Sequence, residues 1–237
     1  MPSADEVRAL VGKNLAHVQE RIAQACHAAG RAPETVRLIG VSKYVGPDET
    51  AELVAAGCCD LGESRPQQLW DKAETLTERG CQVRWRMIGH LQRNKVARTV
   101  HYADAIDSVD SRRLLAAIDA AAQAIGKQQQ VLLEVNISGD QEKHGFLPGE
   151  VGQVVSEMAT TWPNVVLRGL MGMASLVGGE AAARQNFADL RQLREQIVSQ
   201  TGVELPELSM GMSGDFEAAI AEGSTLVRIG SALWAGL

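Results

Sequence analysis

The segment "VRLIGVSKYVG" places a lysine at the end of an apolar run. Val36, Leu38, Ile39 and Val41 read as a buried strand, Ser42-Lys43-Tyr44 follows, and Gly46-Pro47 stops it. A lysine at such a point most often marks where a strand meets water. Alternation puts Ile39, Val41 and Lys43 on one face. If the first two fill the inside of a barrel, Lys43 points into its mouth. A partly desolvated amine there is favoured in the neutral form that attacks carbonyls. A second group lies near the C-terminus. In "GSTLVRIGSALW", Arg228 and Gly230 share a face, and Gly230-Ser231 opens the next element. Backbone N–H groups beside a hydroxyl, with no Cβ in the way, suit a phosphate. In "SMGMSGD", Ser213 precedes a helix starting near Asp215, as a second phosphate ligand or as an N-cap. An amine and an anion cradle together suggest a phosphorylated aldehyde held at both ends.

The elements that must position these groups alternate regularly. Residues 3–29 carry Val7, Leu10, Val11, Leu15, Val18 and Ile22 at helical spacing, with Ser3 and Glu6 as a capping box and Gly30 as the stop. Strand patterns follow in "TVRLIGVSK", "CCDLGES", "VRWRMIGH", "ADAIDSVD", "QQVLLEVNIS", "VVLRGLMGMAS", "ELSMGMS" and "TLVRIG", with helical patterns between them. Strands apolar on both faces imply a parallel sheet covered by helices. Eight such units in this length predict a (β/α)8 (TIM) barrel, with function at the C-terminal ends of the strands. An open doubly wound sheet is the alternative, but no GxGxxG follows the first strand and no GxxxxGK[ST] occurs. The expectation is one domain over 1–237, with residues 1–30 packing on the barrel as a helix.

The chain has 237 residues, 45% apolar and 22% charged, which suits a globular protein. A net charge of -6 argues against a nucleic-acid partner. No apolar stretch approaches the roughly 20 residues that span a bilayer. The charged N-terminus lacks a signal-peptide core, so a cytoplasmic location is expected. Cys26, Cys58, Cys59 and Cys81 show no CxxC spacing, and with five scattered histidines no zinc pattern appears. His90 reads as a strand-end loop residue more than an acid/base, and the methionines as packing.

The stretches "VSK", "LGES", "IGHLQRNK", "VLLEVNIS", "KHGF", "RGLMGMAS" and "LSMGMSGDFEAAIAEGSTLVRIGSALW" resemble the pyridoxal phosphate homeostasis protein family. These are single-domain proteins with a barrel similar to the N-terminal domain of alanine racemase. The resemblance implies that Lys43 carries pyridoxal 5′-phosphate (PLP) as an internal aldimine. Ser213, Gly230 and Ser231 would hold its phosphate, Arg228 would face the pyridine nitrogen, and Met210 and Ser64 would wall the cofactor. No metal and no catalytic residue is implied. Lys143 is implied at the edge of the site. The chain departs from the family in "GESRPQQ", where Ser64 replaces the usual asparagine, and more mildly at Tyr44, where a smaller residue is usual.

Three functions compete. The first is a PLP carrier in vitamin B6 homeostasis, storing the cofactor or delivering it to apo PLP-dependent enzymes. The second is a PLP enzyme such as an amino-acid racemase. The third is a cofactor-free Schiff-base aldolase. Arginine stays protonated and keeps a pyridine nitrogen unprotonated, which weakens the ring as an electron sink. A two-base racemase of this kind draws a tyrosine from a second domain. This chain stops soon after its eighth strand, and alternation turns Tyr44 away from Lys43. An aldolase leaves the arginine unexplained. The carrier, acting as a monomer, is the expected function.

Overall fold

The computed structural model describes residues 3–140, 142–175 and 177–237. Ser3 accepts a hydrogen bond from Glu6 N, and the Glu6 carboxylate accepts one from Ser3 N at 2.7 Å, the capping box that starts α1, Ala4–Ala28. One stripe of α1 is buried: Val11, Leu15, Val18, Ile22 and Cys26. Strands and helices then alternate: β1 Arg37–Val41, α2 Pro47–Ala55, β2 Asp60–Glu63, α3 Pro66–Glu78, β3 Arg84–Met87, α4 Val96–Tyr102, β4 Ala105–Val109 and α5 Arg112–Ala124. They continue as β5 Gln129–Val135, α6 Pro148–Thr161, β6 Val165–Gly172, α7 Gly179–Thr201, β7 Glu207–Met212, α8 Phe216–Ala221 and β8 Leu226–Ile229.

All neighbouring strands are parallel, and β8 pairs with β1 to close the barrel. The expected (β/α)8 barrel with its preceding helix is the observed fold. Beyond β8 the chain makes turns over 231–236 and no helix. The outer ring is completed from the other terminus, where α1 packs between α8 and α2. Asn14 Nδ2 fixes this closure by donating to the carbonyls of Leu233 (3.0 Å) and Ala235 (2.9 Å). Arg31 donates to Ile220 O at 2.8 Å on the α8 side. Among the described residues, no helix is long and apolar enough to cross a membrane.

The barrel interior departs from the apolar filling that the sequence suggests. Ile39, Leu132, Met171 and Leu226 form one small apolar cluster. Around it sit buried charges, because Arg86, Asp107, Glu207 and Arg228 all point inward. Arg86 Nε donates to both Asp107 oxygens at 3.0 Å, and its Nη2 donates to Glu207 at 2.8 Å. Buried charges persist where each has a hydrogen-bonded partner. Burial alone pulls the Arg86 guanidinium down, but Asp107 and Glu207 more than offset it and hold it above the ordinary arginine value. Burial pushes the Asp107 carboxyl up against the opposing pull of Arg86.

Candidate functional site

A cavity of about 280 Å³ opens at the C-terminal mouth, between the ends of β1, β2, β7 and β8. Lys43, Ser64, Ser213, Arg228, Gly230 and Ser231 all line it, with Val41, Tyr44, Met173 and Met212. Six of the seven residues singled out in the sequence therefore share one cavity.

The seventh, Met210, does not. It is fully buried in the hydrophobic core outside the cavity, and Met212 takes the wall position instead. Strict alternation fails in β7 because the pairing with β8 shifts register between Ser209 and Met212. The irregularity contains Gly211 at φ +91, where a Cβ would come within 2.6 Å of the Ala219 Cβ. Only glycine sits there without strain.

The β1 and β2 side is held by a buried ion pair. β1 stops at Val41, two residues before the lysine. The Ser42 carbonyl accepts from Lys72 Nζ at 2.6 Å, and Lys72 Nζ also reaches Glu63 at 2.7 Å. Both charged side chains are almost wholly buried, at 4% and 0% exposure. The second Glu63 oxygen accepts the Ser64 backbone N–H at 2.8 Å. One carboxylate and one ammonium thus tie the ends of the two strands together. Glu63 stands out in the sequence only as part of the "LGES" strand end, and Lys72 not at all. The only available signal was a lysine on the otherwise buried face of α3.

Two expectations about this side need correction. Lys43 is exposed, standing in a turn above the strand end, so the desolvation inferred from strand alternation is not present. For the same reason alternation does not turn Tyr44 away. Its ring lies 4.9 Å from Lys43 Nζ, and it lines the cavity at 64% exposure.

The β7 and β8 side is made of backbone. Asp215, not Ser213, stands at the N-cap position of α8, and its carboxylate accepts from Met212 N, upstream of the helix, at 2.6 Å. Ser213 is thereby free of capping. Its Oγ accepts instead from the N–H groups of Gly230 (3.2 Å) and Ala232 (3.5 Å). Two N–H groups converging on one hydroxyl form a small concavity suited to an anion. At Gly230, a Cβ would stand 3.4 Å from Val41 Cβ and 3.6 Å from the Tyr44 ring, inside the cavity wall. Trp234 pins the turn behind it by donating to Val41 O at 2.7 Å.

Arg228 rises from β8 into the floor. Its Nη1 donates to Ser209 Oγ at 2.7 Å and its Nη2 to Gly172 O at 3.1 Å. Burial lowers this guanidinium below the ordinary arginine value, opposed by Asp107, Asp215 and Glu134. An arginine remains charged under such a shift. The kit of free amine, arginine-floored slot, glycine gap and convergent N–H groups fits PLP, with its aldehyde, aromatic ring and phosphate. Lys143 is not in the cavity. Its Nζ is held by Asp140 (2.8 Å), Ser138 (3.0 Å) and the Ala174 carbonyl (2.8 Å).

Fold and site together define a (β/α)8 barrel protein with an amine and an anion cradle at one mouth. Residues 14–237 match the family described as alanine racemase, N-terminal domain, and the chain belongs to that family. It is 38% identical over 222 residues to the pyridoxal phosphate homeostasis protein of Aquifex aeolicus, covering 94% of this chain and 96% of the relative. A crystal structure of a Bifidobacterium adolescentis protein superposes with a TM-score of 0.88 at 36% identity, over 97% of this chain and 96% of that one. PipY of Synechococcus elongatus, solved with PLP bound, superposes with a TM-score of 0.83 at 30% identity, over 95% of this chain and 100% of PipY.

Proposed function

We propose that this chain binds PLP covalently through Lys43 and acts in PLP homeostasis, storing the cofactor or passing it to apo PLP-dependent enzymes, without turnover of its own. The observation that carries this reading is the facing of Lys43 and the Gly230–Ala232 N–H groups across a single cavity. The name of the Aquifex aeolicus relative and the PLP held by PipY support it. PLP supplies an aldehyde that a lysine amine takes up reversibly. Lys43 would hold that carbon, Ser213, Gly230 and Ser231 the phosphate, and Arg228 the pyridine nitrogen. Ser64 and Met212 would wall the ring.

The exposure of Lys43 suits a carrier. An anchor that must give up its cargo gains from access to solvent and to a competing amine, whereas carbanion chemistry gains from exclusion of water. A PLP enzyme is the second reading, and Tyr44 is the observation that favours it. Among the described residues, however, no hydrogen bond fixes the Tyr44 hydroxyl as a proton carrier. The test is an absorbance spectrum of the purified protein, borohydride reduction and peptide mass mapping. A visible band with the pyridoxyl mass on Lys43, both lost in Lys43→Ala, is the expected result. A stoichiometric chromophore that survives Lys43→Ala would overturn the anchor. Amino-acid racemisation that is lost in Tyr44→Phe would establish the enzyme instead.

A further inference from the structure

Across the mouth from Lys43, three residues far apart in sequence come together. His90 follows β3, Asp110 follows β4 and His144 follows β5. One ligand atom from each lies within 4.8 Å of the others. His90 Nδ1 is 3.2 Å from Asp110 Oδ2, and His144 Nδ1 is 3.9 Å from the same oxygen. We propose that His90, Asp110 and His144 form a site for one divalent transition-metal ion of the zinc class, on the barrel rim opposite the Lys43 cavity.

The distances are close to what such an ion needs. Ligands about 2.0–2.1 Å from a tetrahedral zinc stand roughly 3.3 Å apart. The His90–Asp110 separation already matches, and His144 Nδ1, at 3.9 Å from the same oxygen, has to move inward. Its ring is exposed and free to do so. The two imidazoles stack with centroids 4.4 Å apart and planes at 19°, and because a metal lies in the plane of each ring that binds it, His144 has to turn out of the stack to share an ion with His90. At present only His90 Nδ1 is within hydrogen-bond distance of this oxygen, and His144 Nδ1, at 3.9 Å, is not. An ion between the three would satisfy both.

The surroundings fix each ligand. Ser111 Oγ donates to Asp110 Oδ1 at 3.0 Å, which orients the carboxylate and leaves Oδ2 toward the histidines. Ser108 Oγ donates to Gly89 O at 2.6 Å and holds the backbone next to His90. Gly145, at φ +119, turns the chain so that Phe146 N reaches Glu134 O at 2.8 Å, and this anchors His144 on its other side. Two imidazole nitrogens and one carboxylate select zinc, cobalt or nickel over magnesium or calcium. Three protein ligands leave a position open. Arg93, Arg113 and Lys143 line the same cleft, so an ion whose open position carries a small anion is favoured over a bare one.

The probe is the metal alone. The full chain, stripped with a chelator, is dialysed against micromolar Zn²⁺ and the bound metal counted. One equivalent is expected, with affinity falling at least 10-fold in each of His90→Ala, Asp110→Asn and His144→Ala, and unchanged in Cys59→Ser and Cys81→Ser. Co²⁺ loaded in place of Zn²⁺ should show visible d–d bands without the intense near-ultraviolet band of a thiolate ligand. Thermal melts of the three variants in chelator guard against loss by unfolding. No stoichiometric binding, binding that survives any one of the three substitutions, or binding that follows the cysteines would each overturn the site.

Discussion

The two sides of the Lys43 cavity handle charge in opposite ways. On the β1 and β2 side, Lys72 and Glu63 are sealed from water, paired with each other, and hydrogen-bonded to the backbone at the strand ends. On the β7 and β8 side, two backbone N–H groups are satisfied by one serine hydroxyl at 3.2 and 3.5 Å. The first arrangement has no vacancy for a guest and is costly to disturb. The second is weakly satisfied, so an anion with stronger acceptor oxygens can replace the hydroxyl at little cost. The proposed carrier would need both: a fixed frame for the covalent anchor, and a lightly held surface where a phosphate arrives and leaves.

This contrast can be broken most forcefully at Lys72. Lys72→Met leaves Glu63 buried without its partner and should cost about 3–5 kcal/mol of unfolding free energy, read from urea melts. The double variant Lys72→Met/Glu63→Leu should recover much of that. If Lys72→Met melts like the parent, the ion pair does not hold the frame. On the other side, Ser213→Ala should cost the PLP-free protein only about 1 kcal/mol. Its larger effect should be faster loss of PLP in dialysis. The stability cost should grow once PLP is bound, because a variant that holds PLP more weakly also gains less stability from it. An equal cost with and without PLP would show that the Ser213 hydroxyl does not help to hold the phosphate.

The smallest effect belongs to an ion pair outside both sides. Arg8 on α1 donates to Glu52 on α2 at 2.8 Å, and this hydrogen bond holds the Glu52 carboxyl below the ordinary carboxylate range. Its contribution is therefore present above the unfolded-state value of about 4.3 and fades as pH falls through the lower folded value. Arg8 is largely exposed, so screening keeps the pair weak. Glu52→Gln should be slightly less stable at pH 7 in low salt, with the gap closing in acid. A gap that widened in acid would contradict the assignment.

The barrel was legible because its strands read as apolar runs between helices with clear caps, as at Ser3, which caps as expected, and at Ser111, which accepts from Leu114 N. Six residues of the cavity were legible because strand ends converge at one mouth whatever the loops do. What was hidden depended on departures from ideal strands. β1 ends at Val41, so a period of two no longer governs Lys43 and Tyr44, and the bulge in β7 swaps Met210 for Met212. The buried charges were hidden for another reason. Arg86, Asp107 and Glu207 come from three strands, and nothing in one strand's pattern reveals the partners supplied by the others. The sequence likewise showed no metal spacing, since His90, Asp110 and His144 meet only through the order of strands around the barrel.

The seam of the barrel has a consequence for how the protein is made. Arg37 of β1 pairs with Leu226 of β8, roughly 190 positions later, which at about 5–20 residues per second is on the order of 10–40 seconds of translation. For most of that interval Lys43 is already made, but the N–H groups of Gly230 and Ala232 have not been synthesised. A nascent chain can offer its amine to any passing aldehyde without the selectivity that a phosphate cradle imposes. Faithful loading with cofactor is therefore an event of the finished chain, and the open edges of the half-built sheet are what a chaperone would have to cover until then.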